Sequence, residues 1–148
     1  MKILIIDDDN DFLLLCKQHL QWFNETLSIM TSVNPKEVIF KIFKKELDSF
    51  DAIISDYKMD VIDGVLINKY LKSKSITTPF ILISSFDYTD IRKKYSYQIC
   101  DYFVQKKLIM HDFCQEIVNC LSKITTQSEL PTTGLQAIFS NNVSYVRN

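Results

Sequence analysis

The sequence predicts an α/β fold: a doubly wound, five-stranded parallel sheet with helices on both faces. Three observations carry this. Short apolar runs alternate along the chain with segments of helical periodicity, which is the pattern of βαβ units. The runs at residues 3–6, 50–55 ("FDAIIS") and 80–84 ("FILIS") are apolar at nearly every consecutive position, as strands buried on both faces require. Right-handed crossovers and short connections then leave a doubly wound sheet as the solution.

The elements follow in order. Residues 2–6 form the first strand, ended by the acids Asp7, Asp8 and Asp9. Asp9, with Asn10 beside it, reads as the cap of the first helix, residues 11–23. Phe12, Leu15, Cys16, His19, Leu20 and Phe23 recur there at helical spacing. On that phase Leu13 and Leu14 point outward beside the acidic end. A second strand spans 27–32. Asn34 and Pro35 supply an N-cap and a first-turn proline for a helix over 35–47. The third strand, 50–55, ends at Asp56, and Gly64 opens a helix over 64–73. The fourth strand ends at Ser84, and a more polar helix covers 87–97. The fifth strand, 101–105, is followed by Lys106. The last helix spans 109–123, with Phe113, Ile117, Val118 and Leu121 on its apolar side.

Composition bounds the function. A chain of 148 residues forms one domain with a sizeable core. Seventeen basic residues against eighteen acidic ones exclude a strongly basic nucleic-acid footprint, and no direct nucleic-acid partner is expected. No apolar run reaches the length of a membrane span, and "MKILIIDDD" lacks the build of a signal peptide. The expectation is a cytoplasmic protein with no membrane partner. Cys16, Cys100, Cys114 and Cys120 form no Cys-x-x-Cys pair and read as small buried hydrophobes in a reducing compartment. Residues 1–124 are expected to be the domain. Residues 125–148, which begin with the polar "TTQSELPTTG", are expected to be a linker or tail.

In a parallel sheet all carboxyl ends of the strands share one rim. Asp7 and Asp8, Asp56, Ser84 and Lys106 therefore converge there. Each residue type has a chemical role in that place. Gathered carboxylates suit a hard cation such as Mg²⁺, which keeps waters and fills its shell with phosphate oxygens. Asp56, at the central strand end, is suited to attack phosphorus and become an aspartyl phosphate. The transferring group needs positive charge at its oxygens, which Lys106 supplies, and the Ser84 hydroxyl can donate a hydrogen bond to it.

Four stretches, "ILIIDDD", "DYKMDVIDG" (56–64), "PFILISS" (79–85) and "DYFVQKK" (101–107), stand in order, each at a strand end. Together they resemble the receiver domain of two-component response regulators, including the single-domain chemotaxis type, over residues 1 to about 124. The resemblance implies the flavodoxin-like strand order 2-1-3-4-5. It implies that Asp56 is the phosphoacceptor and that Asp8, Asp56 and the backbone carbonyl of Lys58 bind Mg²⁺. Asp7 would act through water or as a support. It implies that Lys106 pairs with the phosphoryl group, that Ser84 moves inward to meet it, and that Phe103 follows Ser84. The face built from the fourth helix, fifth strand and fifth helix would switch between two states. The implied partners are a histidine kinase or a histidine phosphotransfer protein, and a homodimer through that face is possible. The only catalysis implied is of the chain's own phosphorylation and dephosphorylation. Three positions depart from the family pattern: Asp60 in place of Pro, Ser85 in place of Ala and Lys107 in place of Pro.

Leu13 and Leu14, next to the acidic rim, are expected to form a docking surface for a helical phosphodonor. Two rival readings exist. Asp7-x-Asp9 after an apolar strand also resembles the opening of haloacid-dehalogenase-like phosphatases, with Asp7 as nucleophile and Asp87 and Asp90 as the further acidic pair. That reading leaves "DYKMDVIDG" unexplained. The other rival is a receiver-like module that binds partners without phosphorylation.

Overall fold

The computed structural model describes residues 1–129. Five strands, β1 (Lys2–Ile6), β2 (Ser28–Ser32), β3 (Ala52–Asp56), β4 (Phe80–Ser84) and β5 (Tyr102–Gln105), form one parallel sheet in the order β2-β1-β3-β4-β5. The helices are α1 (Asn10–Phe23), α2 (Pro35–Phe43), α3 (Gly64–Ser73), α4 (Tyr88–Arg92) and α5 (Met110–Glu129).

Consecutive apolar residues within a strand go to opposite faces, because the side-chain period of a strand is two. Ile3 and Ile5 of β1, Ile54 of β3, and Ile81 and Ile83 of β4 pack with Leu13, Cys16 and Leu20 of α1 and with Phe113, Cys114 and Ile117 of α5. Leu4, Ile6, Ile53, Phe80 and Leu82 pack on the other face with Val38 and Ile42 of α2 and with Val65 and Leu71 of α3. Strands with two buried faces have no polar alternation to show, which is why their sequences are continuous apolar runs.

Three helices differ from their expected extents. α2 stops at Phe43 because Lys45 adopts a left-handed backbone (φ 57°), which reverses the chain into a short 3-10 turn at Glu46–Ser49. α4 is a five-residue helix, Tyr88–Arg92, in which only Ile91 is buried. One apolar anchor cannot support the eleven residues expected. α5 runs past residue 123 to Glu129. Ile124 is buried, and the hydroxyls of Thr125 and Thr126 donate to the carbonyls of Leu121 and Ser122, one turn back. The first five residues of the expected linker are thus helical. The rest of that stretch, 130–148, lies outside the described residues.

The first helix also differs in phase. Leu13 is 2% exposed and belongs to the core, while Leu14 is 56% and Leu15 42% exposed. The row that meets the sheet and α5 is Leu13, Cys16 and Leu20, at spacings of three and four. Leu13 is therefore corrected from a surface residue to a core residue, and Leu14 keeps its outward position.

Candidate functional site

The register of the sheet builds the site. Ile6 pairs with Ser55, Asp56 with Ile83, and Ser84 with Gln105. The residues one step beyond these pairs, Asp7 and Lys106, therefore stand on the same rim as Asp56 and Ser84. Backbone bonds hold the rim together beyond the strands: Asp7 N donates to Ser32 O, Tyr57 N to Ile83 O and Lys106 N to Ser84 O, at 3.2, 2.8 and 2.7 Å.

Lys106 is the centre of the constellation. Its Nζ lies 2.7 Å from Asp56 Oδ1 and 2.8 Å from Asp7 Oδ2. It also sits 4.1 Å above the centroid of the Phe12 ring. Asp7 and Asp56 are both buried. Burial pushes the Asp56 carboxyl above the usual carboxylate range, and the hydrogen bond and charge of Lys106 only partly oppose this. Burial acts to lower the Lys106 ammonium, but its bonds to Asp56 and Asp7 outweigh it and hold the group above its ordinary value. Two buried carboxylates share one cation, a geometry that rewards further positive charge.

The surrounding contacts orient each group. Asp7 Oδ1 accepts from Asp9 N at 2.9 Å, so both Asp7 oxygens are engaged. Asp9 turns away and caps α1, accepting from Phe12 N at 3.0 Å. Asp8 is exposed at the mouth, and its Oδ2 accepts from Asp60 N at 3.1 Å. A backbone hydrogen bond from Lys58 also acts, more weakly, to lower the Asp56 carboxyl. Ser84 is buried, and its Oγ accepts from Phe86 N at 3.0 Å, which leaves its own proton free to donate elsewhere. These side chains line a cleft of about 290 Å³ together with Lys58, Ser85 and Phe86. Lys58 Nζ is 5.8 Å from the Phe86 ring centroid, so it leans across the mouth rather than toward Asp56. Gly64 is required from behind. A Cβ there would lie 2.3 Å from the Asp56 carbonyl oxygen, closer than any side chain can come.

All the rim residues expected from the sequence, Asp7, Asp8, Asp56, Ser84 and Lys106, are thus brought to one cleft. Phe103 is partly buried, with its ring 5.2 Å from that of Tyr88 on α4. Sequence reasoning missed Phe12 as the ring beneath Lys106 and Phe86 as the residue that holds Ser84. Phe12 reads in the sequence only as a core position, and no spacing signals a contact across 94 residues. The acids available to a phosphatase reading are otherwise engaged: Asp87 caps α4 and Asp90 pairs with Lys93 on the surface.

A sheet ordered 2-1-3-4-5 defines a flavodoxin-like domain, and its acids and lysine stand at the carboxyl ends of the strands, the end at which open α/β sheets in general bind their ligands. The chain belongs to the response regulator receiver domain family, whose model matches residues 3–118. Among solved structures, the receiver domain of Francisella response regulator 1452 is similar with a TM-score of 0.70 at 23% identity, covering 86% of this chain and 98% of that one. The response regulator TrrA from Thermotoga maritima, solved in complex with Mg²⁺-BeF, gives a TM-score of 0.64 at 28% identity over 81% of this chain and 97% of that one. The chemotaxis response regulator CheY4 of Vibrio cholerae gives 0.64 at 19% identity over 81% and 97%. The search of curated proteins finds no match. No helix among the described residues is long and apolar enough to cross a membrane.

Proposed function

We propose that this chain is a phosphoryl-accepting signalling switch in which Asp56 is the acceptor. The observation that carries the reading is the Lys106 ammonium placed against both Asp56 and Asp7. A fixed cation beside a buried, strand-end carboxylate is what transfer to that carboxylate needs, because phosphoryl transfer relies on positioning and charge.

The donor class is a phosphohistidine, on a histidine kinase or a histidine phosphotransfer protein. An Asp56 carboxylate oxygen attacks phosphorus in line. The P–N bond breaks, its electron pair returns to the imidazole, and a mixed anhydride forms on Asp56. Lys106 follows the charge from the carboxylate to the phosphoryl oxygens. Ser84, its Oγ held by the Phe86 N–H, donates its proton to another of those oxygens. Hydrolysis of the anhydride resets the site, so the chain acts only on itself.

The donor set fits Mg²⁺. Asp8, Asp56 and the Lys58 carbonyl would hold it, with Asp7 acting through water. Among the described residues no group of three or more His, Cys, Asp or Glu side chains stands ready for a metal. A set of two carboxylates and a carbonyl suits a hard cation that keeps several waters. When bound, the ion supplies positive charge to the phosphoryl oxygens.

Movement of Ser84 toward the phosphoryl group would release Phe103 from its contact with Tyr88. The outward face of α4, β5 and α5 would then change for a protein target or a second copy of the chain. The donor would dock on the exposed side of α1 at Leu14. Exposed Leu15, Leu108 and Ile109 extend the apolar surface offered to a helical partner. A cytoplasmic location accords with such a donor.

Incubation with Mg²⁺ and acetyl phosphate, followed by peptide mapping, tests the assignment. Label on Asp56 is expected. Label on Asp7 would favour the phosphatase reading, and no label would leave an unphosphorylated interaction module.

A further inference from the structure

Phe12 lies in the first turn of α1, and the Lys106 ammonium stands 4.1 Å from the centre of its ring, well inside the roughly 6 Å over which a ring attracts a cation. The two residues are anchored separately. The Phe12 backbone N–H donates to Asp9 Oδ1 at 3.0 Å, and its ring packs 5.7 Å from that of Phe113, which is fully buried. The Lys106 backbone N–H donates to Ser84 O at 2.7 Å. The neighbouring Lys107 is drawn away to Glu116 on α5. No step of the proposed phosphoryl chemistry uses the Phe12 ring.

We infer that Phe12 is a positioning residue for phosphoryl transfer: its ring face holds the Lys106 ammonium, so the lysine can pass from Asp56 to a phosphoryl oxygen without leaving the rim. This role rests on Asp56 being the phosphoacceptor. An ammonium has three protons to place. Asp56 Oδ1 at 2.7 Å and Asp7 Oδ2 at 2.8 Å engage two of them, and the ring stands beside the same nitrogen. A third acceptor there would pin the ammonium by a directed bond that has to break when its partner changes. A third carboxylate would also hold it back by charge. The quadrupole of a ring attracts a cation over its face and adds no net charge, so it serves the lysine before and after the change of partner. An aliphatic side chain fills the same space without that attraction. The lysine stem has wide rotamer freedom, and its side chain is already 21% exposed, so without the ring the ammonium samples solvent more often.

The test follows acyl phosphate formation on Asp56, with Mg²⁺ and acetyl phosphate, in the full chain, in Phe12→Leu and in Phe12→Tyr. Phe12→Leu should slow it roughly 2- to 30-fold, the span of one lost cation–ring contact expressed as a rate. Phe12→Tyr keeps the ring and should restore most of the rate. NMR of lysine-labelled chain, without metal or donor, reads the contact itself, with the Lys106 signal assigned by its loss in Lys106→Met. The Lys106 Hε protons should be shifted upfield by the ring in the unaltered chain and in Phe12→Tyr, but not in Phe12→Leu. Equal rates in all three proteins, an equal slowing in both variants, or Lys106 protons without a ring shift would each overturn the role of Phe12 while leaving Asp56 as the acceptor. No label on Asp56 in the unaltered chain would overturn the acceptor reading, and the role of Phe12 with it. If Phe12→Leu does not fold, Phe12→Met serves as the ring-free variant, and the Lys106 shift in the unaltered chain still decides whether the contact exists.

Discussion

Lys106 Nζ reaches Asp56 Oδ1 at 2.7 Å although β4 lies between their two strands. The lysine spans the end of the middle strand to do so, and on the way it rests over Phe12 and meets Asp7. One side chain thereby ties β1, β3 and β5 at a single point. Replacing it with Met would leave two buried carboxylates facing each other without a cation. Breaking a buried pair typically costs ~3–5 kcal/mol, and the partial exposure of Lys106 brings the expected loss for Lys106→Met to about 2 kcal/mol. Urea denaturation measures it, and an unchanged midpoint would show that Lys106 does not neutralise the site.

The raised Asp56 carboxyl makes the domain's stability pH-dependent in a defined direction. A carboxyl held above its unfolded value binds more protons in the folded chain. Its contribution is therefore fully present below the usual carboxylate range and is lost as pH rises through the raised value. In chelator, the unaltered chain should lose stability relative to Asp56→Asn from about pH 4 upward. Lys106 has the same sign at the other end of the scale. Held above its ordinary value, it stabilises the fold until pH rises past the usual lysine range. Parallel denaturation series of the two proteins check both limbs. A difference that is flat with pH would contradict the burial of Asp56.

Divalent metal should offset the same electrostatic cost. At tenfold its dissociation constant, Mg²⁺ stabilises by about 1.4 kcal/mol, a rise in melting temperature on the order of 4 °C for a domain of this size. Asp8→Asn should remove most of that rise while leaving the metal-free melting temperature nearly unchanged, because Asp8 is exposed and Asp7 is not. Thermal melts in MgCl₂ and in EDTA compare the two. An equal rise in the variant would take Asp8 out of the metal site.

Adjacent leucines on α1 should behave in opposite ways. Leu13→Ala opens a cavity beneath the sheet and should cost ~2–4 kcal/mol of stability. Leu14→Ala should leave stability within about 0.5 kcal/mol. It should slow phosphoryl transfer from a histidine phosphotransfer protein but not from acetyl phosphate. Slowing of both transfers alike would remove the docking role from Leu14.

How much of this was legible in the sequence depends on whether neighbours along the chain decide it. The strands were legible because burial on both faces leaves an unbroken apolar run. The site was legible because a parallel sheet puts every strand end on one rim, so Asp7, Asp8, Asp56, Ser84 and Lys106 had to converge whatever the loops do. The phase of α1 was not. Residues 12–16 are apolar throughout, so two rows fit, one through Phe12 and one through Leu13. Packing on α5 chose the second. The early end of α2 rests on the left-handed Lys45, and nothing local marks a lysine for that backbone. Phe12 under Lys106 joins residues far apart in sequence. Sequence periodicity therefore determined the sheet and the gathering of its charged ends, since those follow from strand geometry alone. Tertiary packing decided which atoms touch at the rim, because a side chain's partner depends on helix rotation and rotamer, which only the assembled core selects.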